Sequence, residues 1–132
     1  FPANTHFRVD YWERLLDEPM PTQPAFGLIV TRGHQHDTLV LANWVHRPFV
    51  FLGLIGSRRK KRVIFSQFVE DKIATEEQLD KVVCPVGIDI QAVSVPEIAV
   101  SIMAQYVQKR AEVVNRSLQK QKLPAQAAVA GR

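Results

Sequence analysis

Two periods organise the hydrophobic positions of this chain. Ala25 to Thr31 (AFGLIVT) and Phe49 to Ile55 (FVFLGLI) are compact apolar runs rich in β-branched and aromatic residues and bounded by turn formers, the pattern of strands buried on both faces. Around them apolar residues recur at steps of three and four. Tyr11, Trp12, Leu15 and Leu16 predict a short helix opening at Asp10 with Glu13. Val40, Leu41, Trp44 and Val45 predict a second helix, with Asp37 as its N-terminal cap and Pro48 as its stop. Gly56-Ser57 opens a third, carrying Val63, Ile64, Phe65, Phe68 and Val69. Thr75 with Gln78 spells a capping box for a short fourth helix. Ser94 with Glu97 spells another, for a long helix whose Ala99, Ile102, Met103 and Tyr106 are expected to face inward. Val82 to Ile90, with Cys84-Pro85 and Gly87 inside it, reads as a short strand and loop.

Apolar strands alternating with amphipathic helices predict right-handed βαβ units: an α/β, Rossmann-like three-layer parallel sheet with helices on both faces. Residues 1–112 are expected to form this domain. Residues 113–132 turn to Gln, Lys and Ala, with Pro124 and a closing Ala-Gly-Arg, and are expected to be a helical extension or a disordered tail.

Composition adds limits. With 132 residues, 46% hydrophobic and 23% charged, the chain is long enough for one domain that needs neither disulfide nor structural metal. The formal charge of +4 matters because of where it sits: Arg58, Arg59, Lys60, Lys61 and Arg62 are consecutive, which suggests an anionic partner. Neither a nucleic acid nor a membrane is expected as that partner. Cys84 is the lone cysteine, so no intrachain disulfide can form and a reducing, cytoplasmic setting is expected. No apolar run is long enough to span a bilayer. The chain opens Phe1-Pro2-Ala3 without Met and without the features of a signal peptide, and so reads as a processed or truncated piece.

Doubly wound sheets bind ligands beyond the carboxyl ends of their strands, which directs attention to two strand-to-helix junctions. The first, Thr31-Arg32-Gly33-His34, offers a cation, a permissive turn and a titratable ring. The second, Gly56-Ser57-Arg58-Arg59-Lys60, offers a glycine for close backbone approach, a capping hydroxyl, and free helix N–H groups that suit a phosphate. Cations in a first helical turn oppose the helix dipole, and a bound anion would reverse that sign. A basic, solvated helix face explains the same residues without a ligand. Gly53-x-x-Gly56 is neither a dinucleotide fingerprint nor a Walker loop. Asp89, between Ile88 and Ile90, reads either as a partner for a ligand hydroxyl or as a turn cap. His34, His36 and Asp37 are too sparse a set for a metal, and none is expected. Cys84 reads as a buried, inert thiol.

Taken together, Ile29-Val30-Thr31-Arg32-Gly33-His34 with Asp37, Leu52 to Lys60 (LGLIGSRRK), Pro85 to Ile90 (PVGIDI) and Pro96 to Ile102 (PEIAVSI) resemble one family. It is the xanthine dehydrogenase accessory factor family (XdhC/CoxI), in its C-terminal Rossmann-like domain, and the resemblance runs from about Phe1 to Arg110. It implies a maturation chaperone rather than an enzyme with catalytic residues of its own. Such a protein binds molybdenum cofactor of the molybdopterin type and passes it to a molybdenum hydroxylase such as xanthine dehydrogenase. It places Thr31, Arg32, Gly33, His34 and Gly56 to Lys60 in ligand-facing loops. Family members begin this domain with a strand, a Gly-rich turn, a helix and a second strand that are missing here. The chain is therefore expected to be N-terminally truncated, and to pair with that missing portion or form a homo-oligomer. Two rivals stay open: a fragment of a nicotinamide-nucleotide-dependent oxidoreductase, with NAD(P) as the second-choice cofactor, and a ligand-free interaction domain.

Overall fold

The computed structural model describes residues 2–130, with side chains through residue 122. The element order is α1 (Trp12–Asp17), β1 (Phe26–Ile29), α2 (His34–Trp44), β2 (Phe51–Leu54), α3 (Arg58–Glu70), α4 (Glu76–Asp80), β3 (Val82–Val83) and α5 (Val95–Ala130). Of the tail expected at 113–132, residues 131 and 132 lie outside the described residues. The chain divides into two compact units, Phe1–Pro85 and Val86–Arg132.

The first unit holds a parallel sheet in the order β1-β2-β3. Its register pairs Gly27 with Leu52, Ile29 with Leu54, and Leu52 with Val82. Side chains alternate along a strand, so Ile29, Leu52, Leu54 and Val82 share one face. They join Val40 and Leu41 of α2, Ile64 and Phe68 of α3, and Leu79 of α4 in a single buried core. This is the Rossmann-like α/β arrangement the strand pattern predicts. Gly27 faces that core where a Cβ would stand 2.9 Å from both Leu52 Cδ1 and Phe49 Cε1, so a glycine lets the strand and the 49–52 segment close on each other.

The strands are shorter than the apolar runs that predict them, because the runs extend into the segments that enter and leave the sheet. Helix starts follow the capping chemistry at three of five sites. Ser57 Oγ accepts from the Lys60 N–H, and Thr75 and Gln78 form the complete capping box. Glu97 accepts from the Ser94 N–H at 2.9 Å while Ser94 Oγ accepts from the Glu97 N–H at 3.4 Å. Two starts differ from expectation. α1 begins one residue late, capped at Tyr11, because the Asp10 carboxylate accepts from the Tyr11 N–H instead of from the helix. α2 begins at His34, so Asp37 is not its cap but lies in its first turn, buried.

α1 is held by Leu16, buried in the core, by Trp12 packed against it, and by further polar and ring contacts. Arg47 donates to the Leu16 and Glu18 carbonyls that end it, and Trp12 stacks on His36 of α2 with ring centroids 5.4 Å apart. On α3, Ile64 and Phe68 are buried while Val63 and Val69 face out.

In the second unit, the segment after Pro85 is fastened to the start of α5. The Gly87 N–H donates to Gln105 Oε1 at 2.7 Å, and Ser101 Oγ donates to the Ile88 carbonyl at 2.6 Å. Ile98, Ser101, Ile102 and Gln105 form the inner face of α5 here, with Tyr106 half-buried. Ala99 and Met103, expected inside, are exposed. The helix carries apolar residues on two opposite faces, and periodicity alone does not choose between them.

Candidate functional site at the strand ends

β1 and β2 run side by side and both end in turns that lead into helices, so Thr31 to His34 and Gly56 to Lys60 emerge at the same edge of the sheet. A buried polar cluster ties the two turns together. Asp37, 1% exposed, is the acid at its centre. Its Oδ1 accepts from the Thr31 N–H at 3.1 Å and from Thr31 Oγ1 at 2.7 Å. Its Oδ2 pairs with the Lys60 ammonium, which also donates to the Ile55 carbonyl at 3.0 Å. A carboxylate this deeply buried needs a countercharge and several donors, and it has both.

Gly56 makes the pairing possible. Its φ is +157°, and a Cβ there would stand 2.7 Å from Lys60 Cδ, across the path of the lysine to Asp37. Thus the Lys60 of the basic run turns inward, its side chain only 19% exposed. Arg58, Arg59 and Arg62 are exposed, and Lys61 lies over the Phe65 ring at 5.5 Å. α3 carries no acid in its first turn, whereas α1, α2, α4 and α5 each carry at least one. At the start of α3, Ser57, Arg58 and Arg59 therefore present a hydroxyl, two uncompensated guanidinium groups and the N–H groups of a helix start.

In the other turn Thr31 is half-buried and held by Asp37, while Arg32 and His34 are exposed. Gly33 is the residue from which α2 starts. Asp89 belongs to the second unit, where its Oδ1 accepts from the Gln91 N–H at 3.2 Å, the turn-capping alternative read from the sequence. Cys84 is buried in the first unit. Burial pushes its thiol up from the ordinary range, and Lys60 and Lys61 pull it part of the way back. Hollows among the described residues of the first unit include three that lie elsewhere. Two, of about 390 and 440 Å³, run beside α3 and α4 over Val69, and another of about 130 Å³ adjoins Trp44 and Lys81. None of the three is lined by the strand-end turns.

Asp37 is the residue whose part the sequence reading missed. The signal was available: Asp37 stands on the same helical stripe as Val40, Leu41 and Trp44, and an acid on a core-facing stripe requires a buried partner.

The geometry can be set beside known proteins. Residues 2–106 match the family model described as the XdhC Rossmann domain. The chain belongs to the XdhC family. Within this XdhC domain the match takes in both strand-end turns, the Asp37–Lys60 pair and the start of α5. A curated relative, the uncharacterized protein YqeB of Escherichia coli (strain K12), is 36% identical over 83 residues, which is 63% of this chain and 15% of YqeB. Among solved structures, a crystal structure of a xanthine dehydrogenase from Bacillus halodurans superposes with a TM-score of 0.64 at 26% identity, covering 80% of this chain and 29% of that one. The chain thus spans 15% of the length of YqeB and 29% of that of the Bacillus halodurans protein. Among the described residues, no helix is long and apolar enough to cross a membrane.

Proposed function

We propose that this XdhC domain serves xanthine dehydrogenase or another molybdenum hydroxylase as an accessory factor, handling molybdenum cofactor by its phosphate. The observation that carries the reading is the start of α3. Arg58 and Arg59 occupy its first turn without any acid there, next to the Ser57 cap, at the carboxyl edge of a parallel sheet. A phosphate ester fits that donor set: helix N–H groups and a hydroxyl receive its oxygens, and two guanidinium groups match its charge. The family match and the superposition on a protein described as a xanthine dehydrogenase support the choice of client.

In this reading Ser57, Arg58 and Arg59 hold the phosphate. Gly56 gives the backbone close approach, and Arg32 and His34 face the pterin end from the neighbouring turn. Lys60, with Thr31 and Asp37, fixes the spacing of the two turns. The chain's own residues bind and release, and the cofactor brings the redox chemistry to the hydroxylase.

The test uses the full-length protein co-produced with its hydroxylase. Arg58→Gln/Arg59→Gln should lower co-purified molybdenum and the fluorescence of the oxidised pterin by about tenfold or more, equivalent to about 1.4 kcal/mol or more of binding. The melting temperature should not move. Unchanged retention would remove these arginines from the site.

A further inference from the structure

The outer face of α5 carries an apolar stripe that neither the fold nor cofactor handling uses. Val100, Met103, Val107, Val114 and Leu118 are 62%, 58%, 49%, 52% and 51% exposed, and Ala111 between them is exposed as well. Their positions advance by 3, 4, 4, 3 and 4 residues. At about 100° per residue this keeps all six within about 40° of Val107, as a straight ridge roughly 27 Å long. The inner face, formed by Ile98, Ser101, Ile102 and Gln105, is opposite, so the ridge is a second stripe and not the rim of the first.

The stripe is palindromic. Turned end for end about a point beside Lys109, Val100 comes opposite Leu118, Val107 opposite Ala111, and Met103 within one residue of Val114. Large residues at the ends meet large ones, and alanine near the middle gives valine room. The flanking charges follow the same symmetry. Glu97 and Lys122 lie on the same edge of the ridge, about 80° and 60° round from Val107. In an antiparallel pair related by a two-fold axis like edges meet, which sets each Glu97 against Lys122 of the second copy. A parallel pair would also align the ridge, each residue against its own copy, but would leave Glu97 and Lys122 at opposite ends, so the charges are what select the antiparallel pair.

We infer that α5 is a self-association helix: two copies of this chain pair antiparallel along Val100, Met103, Val107, Ala111, Val114 and Leu118, closed at each end by Glu97 and Lys122. The inference stands apart from the proposed cofactor role. One helix pair buries a modest area, so association is expected in the micromolar range. Arg110 of each copy lies near the axis, which weakens the pair further and makes it tunable.

The test is the mass of the whole chain in solution by light scattering. The expected value at tens of micromolar is twice the chain's 15.0 kDa. Val107→Glu/Val114→Glu should return it to a single chain with helix content kept, and Arg110→Gln should tighten the pair several-fold. Should the glutamate variant fail to fold, disulfide trapping decides, in a Cys84→Ser background. A mixture of Val107→Cys and Ala111→Cys chains should cross-link to each other in preference to either chain with itself, since only the opposed pair comes within disulfide reach. A single-chain mass at every concentration, or Val107→Cys trapping mainly with itself, overturns the inference.

Discussion

The carboxylate of Asp37, in the first turn of α2, is buried against the ammonium of Lys60, in the first turn of α3, and joins the two turns that leave the sheet at its carboxyl edge. Removing one member of such a pair leaves the other buried without compensation. Lys60→Met and Asp37→Asn alone should each cost about 3–5 kcal/mol. The double variant should cost clearly less than the sum, with a coupling of about 1–3 kcal/mol in a denaturant-unfolding cycle. Additive losses would mean that the pair is not formed in solution.

Gly56 is expected to matter through Lys60. Gly56→Ala sets a Cβ 2.7 Å from Lys60 Cδ at a φ of +157°, and should cost about 1–2 kcal/mol. In a Lys60→Ala background the obstructing Cδ is gone and only backbone strain remains, so the same change should cost about half as much or less. Equal costs in the two backgrounds would place the strain in the backbone alone.

The start of α5 is expected to respond to acid. The N–H groups of Ser94 and Val93 hold the Glu97 carboxyl below its ordinary 4.5. A depressed carboxylate contributes stability that is present above 4.5 and lost as pH falls through the folded value. Amide exchange at Val93 and Ser94 should therefore speed up below about pH 4.5 relative to the rest of α5, and Glu97→Gln should remove that dependence. A flat profile in the unsubstituted chain would show that the cap is not populated.

Cys84 tests the burial of the first unit. Burial is the main reason its thiol is raised above 9.0, so folding favours the protonated form; that contribution is present below pH 9 and lost as pH rises through the folded value. At pH 8 alkylation of the native chain should be about a hundredfold slower than in denaturant. Comparable rates would contradict the packing of this segment.

Much of the fold is legible from local chemistry. Ser57, Thr75 with Gln78, and Ser94 with Glu97 each open a helix where the sequence places it, because a cap and its N–H partners lie within three residues of one another. The two long apolar runs are strands, shortened at their ends. What was not legible depends on partners distant in sequence. Asp37 resembles a cap until Lys60, 23 positions on, is seen folded back beside it. The basic run resembles five equivalent cations until Gly56 lets one turn inward. For α5 the choice of inner face rests on Gly87, whose φ of +108° and contact with Ser101 bring the preceding segment against that side of the helix.

The anion site at the start of α3 is tested most directly by amide chemical shifts of the isotopically labelled chain during titration with inorganic phosphate. The account predicts saturable shifts centred on the N–H groups of Arg58 and Arg59, lost in Arg58→Gln/Arg59→Gln while the Thr31 and Lys60 amides keep their positions. Shifts spread evenly over the basic surface, or none at Arg58 and Arg59, would contradict it.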